Sequence, residues 1–392
     1  LTNGRFMFGD LTPTDFLNEH WQTKPLVVHD ALPDFRSPLS PEELAGLACE
    51  DGVESRLVLE EGGAYPWELR QGPFTVETFQ TLPEDRWTLL VQEVDRLLPD
   101  VARLLDRFAF LPRWRIDDVM VSYAPTGGTV GPHIDNYDVF LIQGAGHRRW
   151  EIGHTPVDDE TILPDLDLRM LADFTPDATH VMGPGDLLYL PPRVAHHGVA
   201  ADDDCMTYSV GFRAPSHRDW VADFLQHALE QMDPDARFAD PDRAPVEHPG
   251  ALPEADREQV RSLLRGLVAD DGALDRWFGQ FVTRPPRDRM AYPLEEPWVP
   301  DALADALRNG ATLQHGTASR LAFQMHDDET ATLFANGTAH ALDDETTPLA
   351  PLLCDRDVCP GADLVPHLDT RAARTVLTTL VNDGVLDVID TP

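Results

Sequence analysis

Residues 115 to 212 constrain the fold of this chain more than any other stretch, because short apolar runs alternate there with clusters of Gly, Pro and Asp. The runs with strand character are Ile116 to Tyr123, Val139 to Ile142, Arg148 to Ile152, Leu187 to Leu190 and Met206 to Phe212. Many short strands separated by turn-forming residues predict a β-sandwich or a β-barrel.

On the C-terminal side of these strands, the apolar residues recur at the spacing of an α-helix. Residues 217 to 232 repeat apolar side chains at helical intervals, and two further helices are predicted near 254 to 268 and 273 to 282. These helices are too few and too apolar to stand alone, so their apolar faces should pack on the barrel or on a second copy of the chain.

A second boundary follows at Pro293, Pro297 and Pro300. Beyond it the pattern predicts a helix, a hairpin that turns at Asn336-Gly337, and a last helix near 370 to 382, an order typical of a winged helix. At 392 residues the chain exceeds what one hydrophobic core usually serves, so two or three domains are expected.

The charge of the chain bears on its partners. The formal net charge is -37 and Lys24 is the one lysine, which disfavours binding to nucleic-acid phosphates, including DNA binding by the winged-helix region. A basic partner fits better, although an acidic composition is also typical of adaptation to a salty or hot habitat. With no apolar run of membrane-spanning length and no signal-peptide pattern, a cytoplasmic location without membrane contact is predicted.

The triplet His133-Ile134-Asp135 predicts a metal-binding site. Because a strand alternates its side chains, His133 and Asp135 should point to one face while Ile134 points away into apolar packing. A second motif, from Gly183 to Pro192, precedes His196 and His197. Two imidazoles and one carboxylate that leave three positions open are the ligand set of non-haem Fe(II) oxygenases. On a strand His196 and His197 face opposite ways, so only one of them can join the site.

Neighbouring strands add polar side chains on the same side. Asp118, Met120 and Ser122 share one face of their strand, and Tyr137 shares the face of the His-Asp pair. A desolvated Asp118 needs a partner, either a cationic substrate or an arginine of the protein such as Arg115. One of the two residues Arg148 and Arg149 must face inward, where a guanidinium could hold the carboxylate of a dicarboxylate cosubstrate.

These strings together resemble the bacterial JmjC-type ribosomal oxygenases, known as the ribosomal oxygenase A group. The matching segments are Gly131 to Gly144, Arg148 to Trp150, the Pro-Gly-Asp-Leu-Leu-Tyr-Leu-Pro-Pro run with His196, and Tyr208 to Pro215. The resemblance implies an α+β chain with a double-stranded β-helix (cupin/JmjC) catalytic domain at 1–215, a helical dimerisation region at 216–295 and a winged-helix-like domain at 296–392.

The resemblance also implies a reaction. Fe(II), bound by His133, Asp135 and His196, would use 2-oxoglutarate and dioxygen to hydroxylate the β-carbon of an arginine in large-subunit ribosomal protein sixteen, and the enzyme would be a homodimer. Arg148, with help from Ser122, would bind 2-oxoglutarate. The residues that would surround the substrate arginine are Asp118, Met120, Tyr137 and Ser209.

Two alternatives remain at this stage. The same cosubstrate could serve a histidine hydroxylase or a demethylase acting on another basic protein. The chain could also be a non-enzymatic cupin-fold binding module, in which case an inward arginine and an iron site with open positions would lack a purpose.

Overall fold

The chain separates into two compact units, Leu1–Ala214 and Pro215–Pro392. The structure is a computed structural model. It describes residues 7–60, 67–157, 162–163, 170–285, 293–317, 319–327 and 329–389. The finer division into three domains, with a boundary near 295, stays a prediction.

The first unit contains five α-helices and eleven strands within its described residues. The helices are α1 (Pro13–Glu19), α2 (Pro41–Leu47), α3 (Val76–Gln80), α4 (Val94–Leu97) and α5 (Pro99–Ala102). The strands are β1 (Leu26–Val28), β2 (Ser55–Glu60), β3 (Trp67–Gln71), β4 (Trp87–Val91), β5 (Ile116–Ala124), β6 (Asp138–Ala145), β7 (Arg148–Pro156), β8 (Ala178–Met182), β9 (Leu187–Leu190), β10 (Val194–Ala200) and β11 (Cys205–Phe212). All five strand-like runs in the sequence between 115 and 212 are confirmed.

These strands form a large and a small antiparallel sheet. The large sheet has the order β1-β9-β6-β11-β5-β4-β2-β3, and the small one has the order β10-β7-β8. The many crossovers between strands that are distant in sequence are those of a double-stranded β-helix. The N-terminal strands β4 and β2 extend the large sheet beyond β5, which brings residues before position 100 into the same sheet as the strands from 116 to 212.

Both faces of the large sheet are buried, each against a different layer. On the outer face Phe140 and Tyr208 pack with Phe16 of α1 and Leu44 of α2 in the main hydrophobic core. On the inner face, which alternates with the outer one along each strand, Leu141 packs with apolar side chains of the small sheet. Each fully buried side chain of this size contributes roughly 1.5–3 kcal/mol, so this packing fixes which residues of the large sheet face the small one.

The second unit combines helices with two small sheets. Its helices are α6 (His217–Gln231), α7 (Glu254–Gly266), α8 (Asp271–Thr283), α9 (Pro300–Arg308), α10 (Leu349–Cys354), α11 (Gly361–Leu364) and α12 (Arg371–Asn382). Its strands are β12 (Thr312–His315), β13 (Leu321–Met325), β14 (Ala331–Ala335), β15 (Thr338–Leu342), β16 (Val358–Pro360) and β17 (Leu386–Ile389). The three helices predicted between 217 and 282 and the last helix near 370 to 382 are confirmed.

Local sequence signals explain several of these ends. Ser216 caps α6 through a reciprocal pair of hydrogen bonds with Asp219. Asn336 and Gly337 both have positive φ, 48° and 81°, and they form the tight turn between β14 and β15 that the sequence predicted. Among the described helices, none combines the length and the apolar character needed to cross a membrane.

Candidate active site

His133, Asp135 and His196 converge at the inner side of the large sheet. One potential ligand atom from each lies within 4.8 Å of the other two, and no other such group of three exists among the residues that the structure describes. The Nε2 atom of His196 is 3.6 Å from Oδ2 of Asp135, and the two imidazole centroids are 4.2 Å apart. This spacing fits a single divalent ion between the three side chains.

The backbone brings the two histidines together through one bridge. His133 and His196 exchange two backbone N–H···O bonds of 3.0 Å each, outside any longer ladder. The prediction that the His-Asp triplet lies on a strand is therefore wrong: it occupies the loop before β6. Ile134 lines the cavity instead of entering apolar packing, because the loop does not alternate like a regular strand.

The other ring nitrogen of each histidine is already engaged. Nδ1 of His133 lies 3.0 Å from the carbonyl of Gly131, and Nδ1 of His196 lies 3.0 Å from the carbonyl of Val194. Each Nδ1 therefore carries the proton, which leaves Nε2 as the free lone pair. Burial, together with the neighbouring His133, lowers the pKa of His196 to about 4. The imidazole is thus neutral near pH 7, as a metal ligand must be.

The small sheet shows which residue of each adjacent pair, His196-His197 and Arg148-Arg149, faces the cavity. His197 points to the opposite face, where its Nδ1 contacts Oε2 of Glu151 at 3.0 Å. Arg149 is on that same outer face and is also paired with Glu151. His196 and Arg148 are therefore the inward members of their pairs.

Arg148 is a buried cation that has no carboxylate partner among the residues that the structure describes. The residue is 4 % exposed, and neither Nε nor Nη2 has a hydrogen-bond partner within the described part of the chain. Its guanidinium carbon lies 5.8 Å from the centre of the Trp150 ring. A buried guanidinium with two unused donors fits a ligand carboxylate, so the residues present suit a dicarboxylate bound next to the three potential metal ligands.

One cavity of about 480 Å³ joins these groups. All nine residues singled out in the sequence line it: Asp118, Met120, Ser122, His133, Asp135, Tyr137, Arg148, His196 and Ser209. Strand pairing explains part of the arrangement, because Met120 of β5 is directly opposite Ser209 of β11, and directly opposite residues point to the same face.

Asp118 is bound by neutral donors. Its Oδ2 atom accepts the backbone N–H of Glu93 at 2.9 Å. Arg115, the alternative partner, instead pairs with the fully buried Asp138 at 3.2 Å. Burial raises the pKa of Asp118 to about 7. Smaller effects come from carboxylates that raise it (Asp117, Asp95 and Glu54) and from a guanidinium that lowers it (Arg96). A cation that enters the cavity would therefore stabilise the ionised form of the Asp118 carboxyl group.

Tyr137 completes this side of the cavity. Burial of its hydroxyl, followed by the nearby carboxylates of Asp135 and Asp118, raises the pKa of Tyr137. The phenol therefore keeps its proton near pH 7 and lies beside the Asp135 carboxylate. Gly211 leaves space next to it: a Cβ atom there would lie 3.6 Å from Oδ1 of Asp118 and 3.9 Å from the Tyr137 ring.

Sequence reasoning missed the contribution of the N-terminal strands. Arg56 and Gln92 line the cavity, as does Thr88, whose hydroxyl is buried and has no partner among the described residues. A polar residue inside each of the apolar runs Ser55–Glu60 and Trp87–Val91 was the available signal. Nothing in the sequence shows that these two runs pair with each other or that the second of them pairs with β5.

Comparison with known proteins agrees with this geometry. A family model for a JmjC domain matches residues 103–220, and one for a ROXA-like winged helix matches residues 266–387. A third model, for an AraC-like ligand binding domain, matches residues 175–283 and so omits His133, Asp135 and Arg148.

Similar whole proteins include two bacterial relatives. The chain is 36% identical over 370 residues to the ribosomal protein uL16 3-hydroxylase of Escherichia coli, covering 94% of this chain and 96% of that protein. It is 34% identical over 336 residues to a probable ribosomal oxygenase of Haemophilus influenzae, covering 83% and 81% of the two chains.

Solved structures give the same result. An X-ray structure of E. coli YcfD matches with a TM-score of 0.85 and 35% identity, covering 97% of this chain and 99% of that one. The structure of YcfD, a ribosomal oxygenase, in complex with cobalt and 2-oxoglutarate matches with a TM-score of 0.82 and 34% identity over the same shares. The identity and coverage extend through both units of this chain, which belongs to the bacterial JmjC-type ribosomal oxygenase family.

Proposed function

We propose that this chain is an Fe(II)- and 2-oxoglutarate-dependent oxygenase that hydroxylates the β-carbon of an arginine in ribosomal protein uL16, the large-subunit protein sixteen. One observation supports the enzymatic part: Arg148, whose buried Nε and Nη2 have no partner in the described part of the chain, shares a cavity with the converging His133, Asp135 and His196. The choice of uL16 is supported by the relative named for that reaction, which matches over 94% of this chain.

The three converging side chains would hold the iron. His133 and His196 offer their Nε2 atoms and Asp135 a carboxylate oxygen, and a set of two imidazoles and one carboxylate suits ferrous iron. When bound, the iron supplies the chemistry that activates dioxygen together with 2-oxoglutarate. The protein's own contribution is to fix the ligands, since Nδ1 of each histidine is anchored on a backbone carbonyl.

Other side chains would position the two organic reactants. Arg148, with help from Ser122 in the same cavity, would take the distal carboxylate of 2-oxoglutarate. Asp118 would balance the charge of the substrate guanidinium. The groups that would enclose the rest of that side chain are Met120, Tyr137 and Ser209. This arrangement would bring the target carbon next to the metal ligands, and such positioning is what the protein must supply in a reaction of this kind.

The direct test is incubation of purified uL16 with the protein, Fe(II) and 2-oxoglutarate, followed by tandem mass spectrometry. The expected result is the gain of one oxygen atom on a single arginine, with one succinate released for each hydroxylation. His196→Ala should abolish both. Oxidation of a histidine or loss of a methyl group from another basic protein would favour the alternative substrates, and the absence of succinate release would favour a binding module.

We also propose that the protein is a homodimer joined through its helical region. The apolar side chains of α7 remain on the surface, with Val260, Leu263 and Leu264 exposed by 50%, 54% and 56%. On α6, Val221 and Leu229 are exposed by 57% and 62%. Apolar patches of this kind fit a self-complementary contact, in which the same faces of two copies cover each other.

Light scattering of the whole protein tests the dimer. The double variant Leu263→Glu, Leu264→Glu should halve the measured mass, because it places charges within the proposed contact. Ser262→Glu is the matched control, since Ser262 lies on the other side of α7, and it should leave the mass unchanged. A wild-type mass equal to that of one chain would contradict the proposal.

The acidic surface has a further consequence for partners. A net charge of -37 opposes binding to DNA, so we assign the winged-helix region a protein-contact or structural role. Because ribosomal proteins are basic and are made in the cytoplasm, we place the reaction there.

A further inference from the structure

We propose that Gln92 is a positioning residue that keeps the Arg56 guanidinium away from Asp118 and turns Asp118 so that one carboxylate oxygen stays available to the cationic side chain of the substrate. The inference rests on the proposed function, in which an arginine enters the cavity. It concerns two residues, Gln92 and Arg56, that the sequence patterns did not indicate.

Within the described residues, the hydrogen-bond donors to Asp118 all contact one of its two carboxylate oxygens. Oδ2 accepts two neutral donors, the backbone N–H of Glu93 at 2.9 Å and the side-chain amide of Gln92 at 3.2 Å. No donor to Oδ1 is found among the described residues, and this oxygen faces Gly211, where a Cβ atom would be 3.6 Å away. The oxygen next to the open space beside Gly211 and Tyr137 is therefore the free one.

Gln92 is itself fixed on two sides. With its amide oriented to suit both neighbours, its side-chain oxygen accepts Nη2 of Arg56 at 2.6 Å while its nitrogen faces Asp118. Its backbone N–H donates to the carbonyl of Glu54 at 2.9 Å. Arg56 thus dictates which end of the amide faces the carboxylate.

The order guanidinium, amide, carboxylate has an electrostatic consequence. A direct contact between Arg56 and Asp118 would be a strong charge-assisted pair, and it would compete with a guanidinium that arrives with the substrate. The Gln92 amide oxygen accepts the hydrogen bond of Arg56, and the amide nitrogen donates to Asp118. Asp118 is therefore contacted by a neutral donor and not by a charged one. The carboxylate thereby keeps its net charge for the ligand, while Glu93 and Gln92 restrict its rotation. Glu93, whose backbone N–H donates to Asp118, has a left-handed conformation with φ of 54°.

The test compares peptide binding by calorimetry under anaerobic conditions, with Mn(II) and 2-oxoglutarate present, so that it does not depend on turnover. The probes are a uL16 peptide containing the arginine and the same peptide with citrulline, which has nearly the same shape but no charge. Gln92→Leu removes both contacts. Gln92→Met keeps the length of the side chain and likewise removes both contacts. Gln80→Leu, on the exposed end of α3, is the matched control.

Both Gln92 variants should bind the arginine peptide roughly ten-fold more weakly, because the loss of one hydrogen bond to a charged group lowers affinity by about that factor. They should also discriminate less against the citrulline peptide. In an Asp118→Ala background Gln92→Leu should have little further effect, because it acts through Asp118. Adding Arg56→Met to Gln92→Leu should restore part of the affinity, because the competing cation is gone.

Three results would overturn the inference: wild-type affinity in both Gln92 variants, an undiminished effect of Gln92→Leu without Asp118, or no recovery on removal of Arg56. A merely structural Gln92 would produce the last two. If instead the wild-type protein fails to bind the arginine peptide at all, the proposed function itself is wrong.

Discussion

Replacement of Arg148 by methionine gives a sharp test of the site, because it should change ligand binding and stability in opposite directions. The side chain is 4 % exposed, and its Nε and Nη2 donors have no partner in the described residues. In the absence of 2-oxoglutarate the guanidinium is a desolvated charge that destabilises the fold. With the cosubstrate bound, the same group should become the main anchor of a carboxylate.

The magnitude follows from the two unused donors. A buried donor left without a partner costs about 1–3 kcal/mol, so a methionine of similar length should leave the ligand-free protein at least as stable as wild type. Loss of two charge-assisted hydrogen bonds should weaken 2-oxoglutarate binding by on the order of 3 kcal/mol, about a hundred-fold.

Thermal unfolding with Mn(II), measured with and without 2-oxoglutarate, reports both effects. Wild type should gain stability from the cosubstrate, whereas Arg148→Met should gain little at the same concentration. Arg149→Met is the matched control: it is the next residue of β7, but its side chain is 43% exposed on the outer face, and it should respond to 2-oxoglutarate like wild type. Equal stabilisation of Arg148→Met and wild type would refute the assignment of Arg148 as the carboxylate anchor.

Three further predictions concern other parts of the site. Because the pKa of Asp118 is raised to about 7 and only the ionised form attracts a guanidinium, kcat/KM for an arginine peptide should increase as the pH rises through about 7, and Asp118→Asn should lack this inflection; an unchanged pH profile would contradict the role. His196→Ala should lower Mn(II) affinity, measured by calorimetry, by more than the ~10–100-fold that loss of an outer partner costs, and unaltered binding would exclude His196 as a ligand. Gly198→Ala should lower the free energy of unfolding by about 1–3 kcal/mol in chemical denaturation, because its Cβ would lie 2.6 Å from the Trp150 ring; wild-type stability would show that the ring moves aside freely.

The regular elements of the fold were predictable because local periodicity is strong in them. The run Leu187 to Leu190 coincides with β9, and the helical spacing at 217 to 232 corresponds to α6. A continuous apolar run between turn-forming residues specifies β9, and helical spacing with the Ser216 cap specifies α6. The loop position of His133 was not predictable in this way, since a single bridge to His196 replaces the ladder that a strand would have.

The choice within adjacent pairs needed the structure. Sequence alone showed that one member of Arg148-Arg149 and one of His196-His197 must face inward, but period two does not say which one. The register of the small sheet decides both, because it places Arg148 opposite Ala200 and His197 opposite Glu151.

By itself, the sequence determined which side-chain types the site can offer, two imidazoles and a carboxylate with a guanidinium nearby, and where five of the strands and the main C-terminal helices lie along the chain. Only the tertiary structure decided that Arg56 and Gln92, far away along the chain, border the same cavity as Asp118. The physical reason is that side-chain alternation follows from the covalent geometry of each strand, whereas the pairing of β2, β4 and β5 depends on contacts between distant segments.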